Sequence, residues 1–174
     1  MAIYCTNFFL LCPTRARMNT AAFENRIRLT LQVVQAVRRV WPQKLPLFVR
    51  LSAMDWKEGD WDVEQAMELS RKLKPPGVDL IDVSSGGLVS GVKIPVGPGY
   101  QVKFAEEIRK QAGIATGAVD MITEHAQAET ILMEEQGDLI FLACEMLRDP
   151  YWPRRAAKSL GEKIKPPVQY ERAW

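Results

Sequence analysis

Apolar residues along this chain fall into two patterns that take turns. Four short runs, 47–51 (LFVRL), 78–83 (VDLIDV), 114–119 (IATGAV) and 139–143 (LIFLA), are nearly continuous rather than alternating. Runs of that length predict parallel strands covered on both faces, where the period of two disappears. Between them, apolar residues recur at helical spacing. Ile27, Leu31, Val34 and Val37 form one stripe, and Val63, Ala66, Met67, Ser70 and Leu73 form a second. Asp62 stands before the second stripe as an N-cap, with Gln65 three residues on in a capping-box pattern. Val102, Ala105 and Ile108 mark a third helix, and Ala128, Ile131 and Leu132 a fourth. A last helical stretch over 146–160 is interrupted at Pro150 and Pro153, because proline removes a donor and crowds the preceding turn.

Helix and strand therefore alternate four times before a closing helix, which specifies a parallel α/β sheet. Two architectures fit this order: a small doubly wound sheet, or part of a (β/α)₈ barrel. No G-x-G-x-x-G follows the first strand, which weighs against a dinucleotide fold. Gly97-Pro98-Gly99 reads as a turn. Periodicity leaves both architectures open.

Composition narrows the function classes. The 174 residues are 47% hydrophobic and 25% charged, which suits one globular domain with a core of its own. Net charge is +2, with basic residues dispersed among acidic ones rather than gathered into a nucleic-acid-binding stripe. No run approaches the roughly 20 apolar residues of a membrane span. Residues 3–12 (IYCTNFFLLC) lack the basic flank and cleavage site of a signal peptide and read as part of the structure. The expectation is a cytoplasmic protein without nucleic-acid or membrane partners.

Candidate chemistry is sparse. Cys5, Cys12 and Cys144 form no C-x-x-C, and His125 is the lone histidine, so reduced thiols and no metal site are expected. Cys144 reads as ordinary packing and His125 as a solvated residue near a helix start. Asp55 and Asp82 lie near strand ends as available acid/base groups, with an exposed carboxylate as the plainer reading of each.

Several longer stretches carry more information. They are Glu24-Asn25-Arg26, Pro46-Leu47-Phe48-Val49-Arg50-Leu51-Ser52-Ala53 and Gly77-Val78-Asp79-Leu80-Ile81-Asp82-Val83-Ser84-Ser85-Gly86-Gly87. They continue with Pro98-Gly99-Tyr100-Gln101, Thr116-Gly117-Ala118-Val119, Leu147-Arg148-Asp149-Pro150-Tyr151-Trp152 and Pro167-Val168-Gln169-Tyr170-Glu171-Arg172-Ala173-Trp174. In order and spacing the chain resembles the old yellow enzyme family of FMN-dependent NAD(P)H ene reductases, and its ending resembles the thermophilic-like branch. The resemblance implies an α/β fold: a parallel (β/α) half-barrel, the last four βα units of a TIM barrel. It implies a single domain over 1–174, with an atypical segment at 1–18, the half-barrel over 19–165 and a tail over 166–174.

Barrel active sites lie at the C-terminal ends of the strands. By resemblance, Arg50 matches an arginine at the flavin's pyrimidine edge, where a cation stabilises the reduced ring. From the residues alone it is equally an arginine paired with a structural carboxylate. Gly117 and Ala143 fall at cofactor-binding positions. Where the family has a glycine facing the FMN phosphate, this chain has Asp120. A carboxylate there brings like-charge repulsion of about 1–4 kcal/mol, and a Cβ where the backbone must approach. The phosphate-clamping arginine after the fourth strand is replaced by Cys144. The family's carbonyl-holding donor pair, its proton-donating tyrosine and its first flavin loops lie upstream of the matching region. Residues 1–18, with Tyr4, Cys5 and Cys12, offer no substitute. Arg172 matches an arginine lent to a neighbouring subunit, with Tyr170 and Trp174 as anchors; a free tail is the plain alternative.

These departures lead to the expectation of a truncated homologue that takes no cofactor, has lost FMN-dependent ene reduction and binds an apolar small molecule. Redox-neutral isomerisation or cyclisation is the turnover such a site would support, with Arg50, Tyr100 and Arg172 as catalytic candidates. One alternative is an FMN-dependent ene reductase acting as an oligomer or with an N-terminal partner; another is a non-catalytic interaction protein. Open sheet edges and an uncovered apolar face predict a homodimer. The competing arrangement folds Phe8, Phe9, Leu10 and Leu11 back over the edge.

Overall fold

A computed structural model of the chain describes residues 23–173. The expectations placed on residues 1–18 and on Trp174 lie outside the described residues. The elements are α1 (Phe23–Val40), β1 (Phe48–Ser52), α2 (Val63–Leu73), β2 (Leu80–Ser84), α3 (Val102–Ala112) and β3 (Ala115–Val119). They continue as α4 (His125–Met133), β4 (Leu139–Phe141), α5 (Cys144–Arg148), α6 (Trp152–Ser159) and a 3₁₀ turn (Val168–Ala173).

The four strands are parallel and lie in the order β1-β2-β3-β4. That order settles what periodicity left open. A doubly wound sheet reverses direction at a switch point, whereas every βα unit here adds on the same side, as in a barrel. Register places Arg50 opposite Asp82, Asp82 opposite Gly117 and Gly117 opposite Leu139. Because side chains alternate across a strand, the sheet has two distinct faces. Val49, Leu51, Ile81, Val83 and Ala118 belong to the core that meets the helices. Phe48, Arg50, Leu80, Asp82, Gly117, Val119, Leu139 and Phe141 take the other face.

That second face is concave. On a flat sheet, three strand spacings of about 4.8 Å would hold β1 and β4 about 14 Å apart. The rings of Phe48 and Phe141 nevertheless sit 6.4 Å apart, edge to face. Beneath them Gly117 has no room for a side chain, since a Cβ would overlap the Phe141 ring.

Helix boundaries follow local chemistry. Asp62 caps α2 by accepting from the Gln65 backbone N–H at 2.8 Å. The Gln65 side chain returns to the Asp62 carboxylate rather than to its backbone, at 2.9 Å. Ile27 and Val34 of α1, Ala66, Leu69 and Leu73 of α2, and Phe104, Ala105 and Ile108 of α3 are buried. Leu132, expected in the fourth stripe, is exposed, and Ala128 with Ile131 carries that helix. The closing helix breaks once, around Pro150. Pro153 lies in the first turn of α6, where its missing N–H has no partner to lose. Trp152 ties α6 to the loop after β3, donating to the Thr123 carbonyl at 2.9 Å and meeting the His125 ring edge-on.

At the N-terminal ends of the strands one device is used twice. The Asp79 carboxylate accepts from the Leu47 N–H and from Arg38, each at 2.8 Å. The Asp138 carboxylate accepts from the Thr116 N–H at 2.9 Å and from Arg109 at 3.1 Å. In each case an aspartate at a strand entry satisfies an N–H near the start of the neighbouring strand, and an arginine from the helix before that neighbour balances its charge.

Candidate functional site

The opposite ends of the strands carry the candidate chemistry. Arg50 and Asp82 meet on the concave face, with Nη1 to Oδ2 at 2.9 Å. The Asp82 side chain is 6% exposed and that of Arg50 is 33% exposed. Burial pushes the Asp82 carboxyl above the usual range, and the Arg50 guanidinium beside it works against that shift. The second carboxylate oxygen of Asp82 is buried without a hydrogen-bond partner. Asp55, in the loop after β1, is likewise buried, with one oxygen unpartnered. Its carboxyl is raised by burial, against a hydrogen bond from the Trp61 backbone. Neither aspartate is the exposed carboxylate expected from sequence. The curl of the sheet encloses one and the Trp61 loop the other.

Above the strand ends three loops converge. Trp56, with φ at 59°, donates to the Ser85 hydroxyl at 3.0 Å and packs near the rings of Tyr100 and Phe104. Gln101 is buried, and its Nε2 donates to the Tyr100 hydroxyl at 2.8 Å and to the Asp120 carboxylate at 2.5 Å. Burial, then the hydrogen bond and charge of Asp120, push the Tyr100 phenol up to about 12. It stays protonated and serves as a donor. Asp120 holds φ at 79° and Met121 follows at 49°, a left-handed pair that ordinary side chains avoid.

The structure thus brings together Tyr100 and Asp120, and separately Arg50 and Asp82. Gly117 lies beneath the Phe141 ring, and Ala143 caps the short helix α5 with an exposed side chain. Cys144, the first residue of α5, is a free exposed thiol, so ordinary core packing does not describe it. Arg172 is exposed in the 3₁₀ turn. Sequence reasoning passed over Trp56, Ser85 and Gln101. Gln101 stood inside the Pro98-Gly99-Tyr100-Gln101 stretch, so its position was visible although its partner was not.

Residues 14–163 match the NADH:flavin oxidoreductase / NADH oxidase family. The chain belongs to that family. An NADPH dehydrogenase of Bacillus licheniformis is 56% identical over 151 residues, covering 87% of this chain and 44% of that protein. An NADPH dehydrogenase of Halalkalibacterium halodurans is 49% identical over 173 residues, covering 98% of this chain and 50% of that protein. The chain spans about half the length of the curated relatives it matches. Among solved structures, a 2-naphthoyl-CoA reductase complex superposes with a TM-score of 0.71 at 21% identity, over 82% of this chain and 22% of that one. A histamine dehydrogenase from Rhizobium superposes with a TM-score of 0.62 at 19% identity, over 80% and 20%. At such identities these two establish the fold alone, that of a TIM barrel covered in part.

Membership of a flavin oxidoreductase family overturns the expectation that the chain takes no cofactor; the family and its NADPH dehydrogenases point to FMN. The residues present fit the two ends of that group differently. Arg50 offers a partly exposed guanidinium on the concave face, suited to a flavin ring edge. In (β/α)₈ barrels, phosphate is commonly held by the loops after the last two strands and a short extra helix. Here those loops present the Asp120 carboxylate, while Glu145 of α5 pairs with Arg148 at 2.7 Å. The ring end fits, and the phosphate end does not.

Among the described residues, no group of three or more His, Cys, Asp or Glu side chains is placed to hold a metal ion. No helix among them is long and apolar enough to cross a membrane.

Proposed function

We propose that this chain forms the flavin-holding half of an NADPH dehydrogenase barrel and works when four further βα units close the barrel across β1 and β4. The observation that carries this reading is Arg50: a guanidinium on the concave face, at the third position of a strand whose C-terminal end opens toward the site. A flavin, when bound, supplies hydride-transfer chemistry that no side chain here offers. Arg50 would meet the ring's pyrimidine edge, and Asp82 holds the Arg50 guanidinium toward that face. Trp56 and Tyr100 bound the rim with aromatic surface that keeps water from the strand ends.

The same geometry supports the need for a complement. Among the described residues the four-stranded parallel sheet leaves both edges unpaired, and Leu139 on β4 remains 42% exposed. A second copy can present the same edges, and a two-fold pair is the commonest self-complementary arrangement. Arg172 and Tyr170 are exposed, and in this reading they would reach such a neighbour.

Co-expression with the N-terminal half of the Bacillus licheniformis relative tests the reading. The expected result is a yellow complex that consumes NADPH when an enone is supplied, with loss of flavin and turnover in Arg50→Met. A colourless complex would overturn it. Light scattering of the chain alone is expected to give a species near twice 19.7 kDa, and a monodisperse monomer would remove the two-fold pair.

A further inference from the structure

We propose that Asp120 is a specificity-determining residue that makes the far corner of the flavin site favour a hydroxyl-terminated flavin over its phosphate ester. The inference rests on the flavin reading above and deepens it. Three observations carry it independently of the ring end.

First, Asp120 directly follows β3 and opens one of the two loops that form the usual phosphate corner of a (β/α)₈ barrel. Second, its carboxylate is fixed in place. Gln101 donates to it at 2.5 Å and the Tyr100 phenol hydrogen-bonds to it, and its backbone already occupies the left-handed region at φ 79°. Swinging the carboxylate away would break both contacts. Among the described residues no salt bridge joins Asp120 to a cation that could offset its charge. Lys103, two residues after Gln101, lies over the rings of Trp56 and Phe104. Third, the Gln101 side chain that holds the carboxylate is itself buried and so keeps it in place. The Oε1 of Gln101 is buried without a partner, and the residue is 4% exposed.

A phosphate monoester brings negative charge and acceptor oxygens, so it meets repulsion from the Asp120 carboxylate, which has no hydrogen to donate. A terminal hydroxyl brings a donor, which the Asp120 carboxylate can accept. No covalent chemistry is involved; the discrimination is one of charge and hydrogen-bond polarity.

The test uses the full chain and its Asp120→Asn and Asp120→Gly variants, titrated with riboflavin and with FMN by flavin fluorescence at fixed ionic strength. Asparagine tolerates the left-handed backbone and keeps the side-chain shape, so it removes the charge and turns one acceptor oxygen into a donor; glycine also removes the Cβ. Riboflavin is expected to bind the native chain at least as tightly as FMN, and both variants should shift the ratio at least tenfold toward FMN. FMN binding tenfold tighter than riboflavin in the native chain, or an unchanged ratio in both variants, would overturn the proposal. Binding of neither flavin would overturn the flavin reading for the chain alone. A second arm then decides Asp120 separately, by melting the three proteins in inorganic phosphate and in chloride of equal ionic strength. Phosphate should raise the melting temperature of the variants and leave the native chain unmoved. Equal response in all three would sink the proposal.

Discussion

Phe141 at one edge of the sheet reaches over Gly117 to meet Phe48 at the other, with the two rings 6.4 Å apart and inclined at 75°. This contact requires an empty site at 117, because a methyl there would occupy the ring's volume. Gly117→Ala is expected to destabilise the chain by about 1–3 kcal/mol, the usual cost of overpacking. Gly117→Ala/Phe141→Leu should recover most of that loss. Urea denaturation of the single and double variants measures it, and additive losses would show that the two positions are not coupled.

Arg50 is the only partner the structure gives to the buried Asp82 carboxylate among the described residues. Arg50→Met should therefore cost about 3 kcal/mol at neutral pH, the low end for breaking a buried pair, since Arg50 is itself one-third exposed. Arg50→Met/Asp82→Asn should be closer to the native chain than Arg50→Met alone. Chemical denaturation at neutral pH reads both, and equal stability of the two variants would contradict the pairing.

Asp55 has its carboxyl raised above the ordinary 3.8 by burial. A carboxyl raised in the folded chain takes up its proton more readily there than in the unfolded chain. Its stabilising contribution is full below 3.8 and is lost as pH rises through the folded value. Asp55→Asn, a neutral mimic of the protonated acid, should match the native chain at the acid end and become progressively more stable than it toward neutral pH. Stability curves of both proteins across that window check the sign; a gap that widens toward acid would refute it.

Burial, and after it the hydrogen bond and charge of Asp120, push the Tyr100 phenol up to about 12. Asp120→Asn removes that charge, so the Tyr100 titration should move down toward the ordinary value of 10.0. Ultraviolet difference titration, with Tyr100→Phe identifying the signal, provides the measurement. An unmoved titration would mean that burial alone sets the shift.

Much of this architecture was written along the chain. All four strands formed where nearly continuous apolar runs stood, but the two covered faces those runs predicted did not: one face packs on the helices, while the concave face leaves Arg50 and Leu139 partly exposed. The Asp62 cap and the stripes of α1 to α3 are local matters of spacing, and they appear where spacing put them. The flavin-oxidoreductase family was legible too, since its motifs lie at fixed intervals.

What the tertiary structure alone decided concerns neighbours far apart in sequence. The strand order that selects a barrel over a doubly wound sheet depends on which edge each βα unit joins, and periodicity carries no record of that. Asp55 and Asp82 look like surface carboxylates in isolation; burial by the Trp61 loop and by the curled sheet is a property of the assembled chain. Asp120 was visible as a departure from glycine. Its grip by Gln101 and Tyr100, 19 and 20 residues earlier, arises because β2 and β3 end side by side and deliver their loops to one corner. Local sequence sets which element forms, whereas charge, burial and hydrogen-bond partners at the strand ends are set by contacts that only the folded sheet creates.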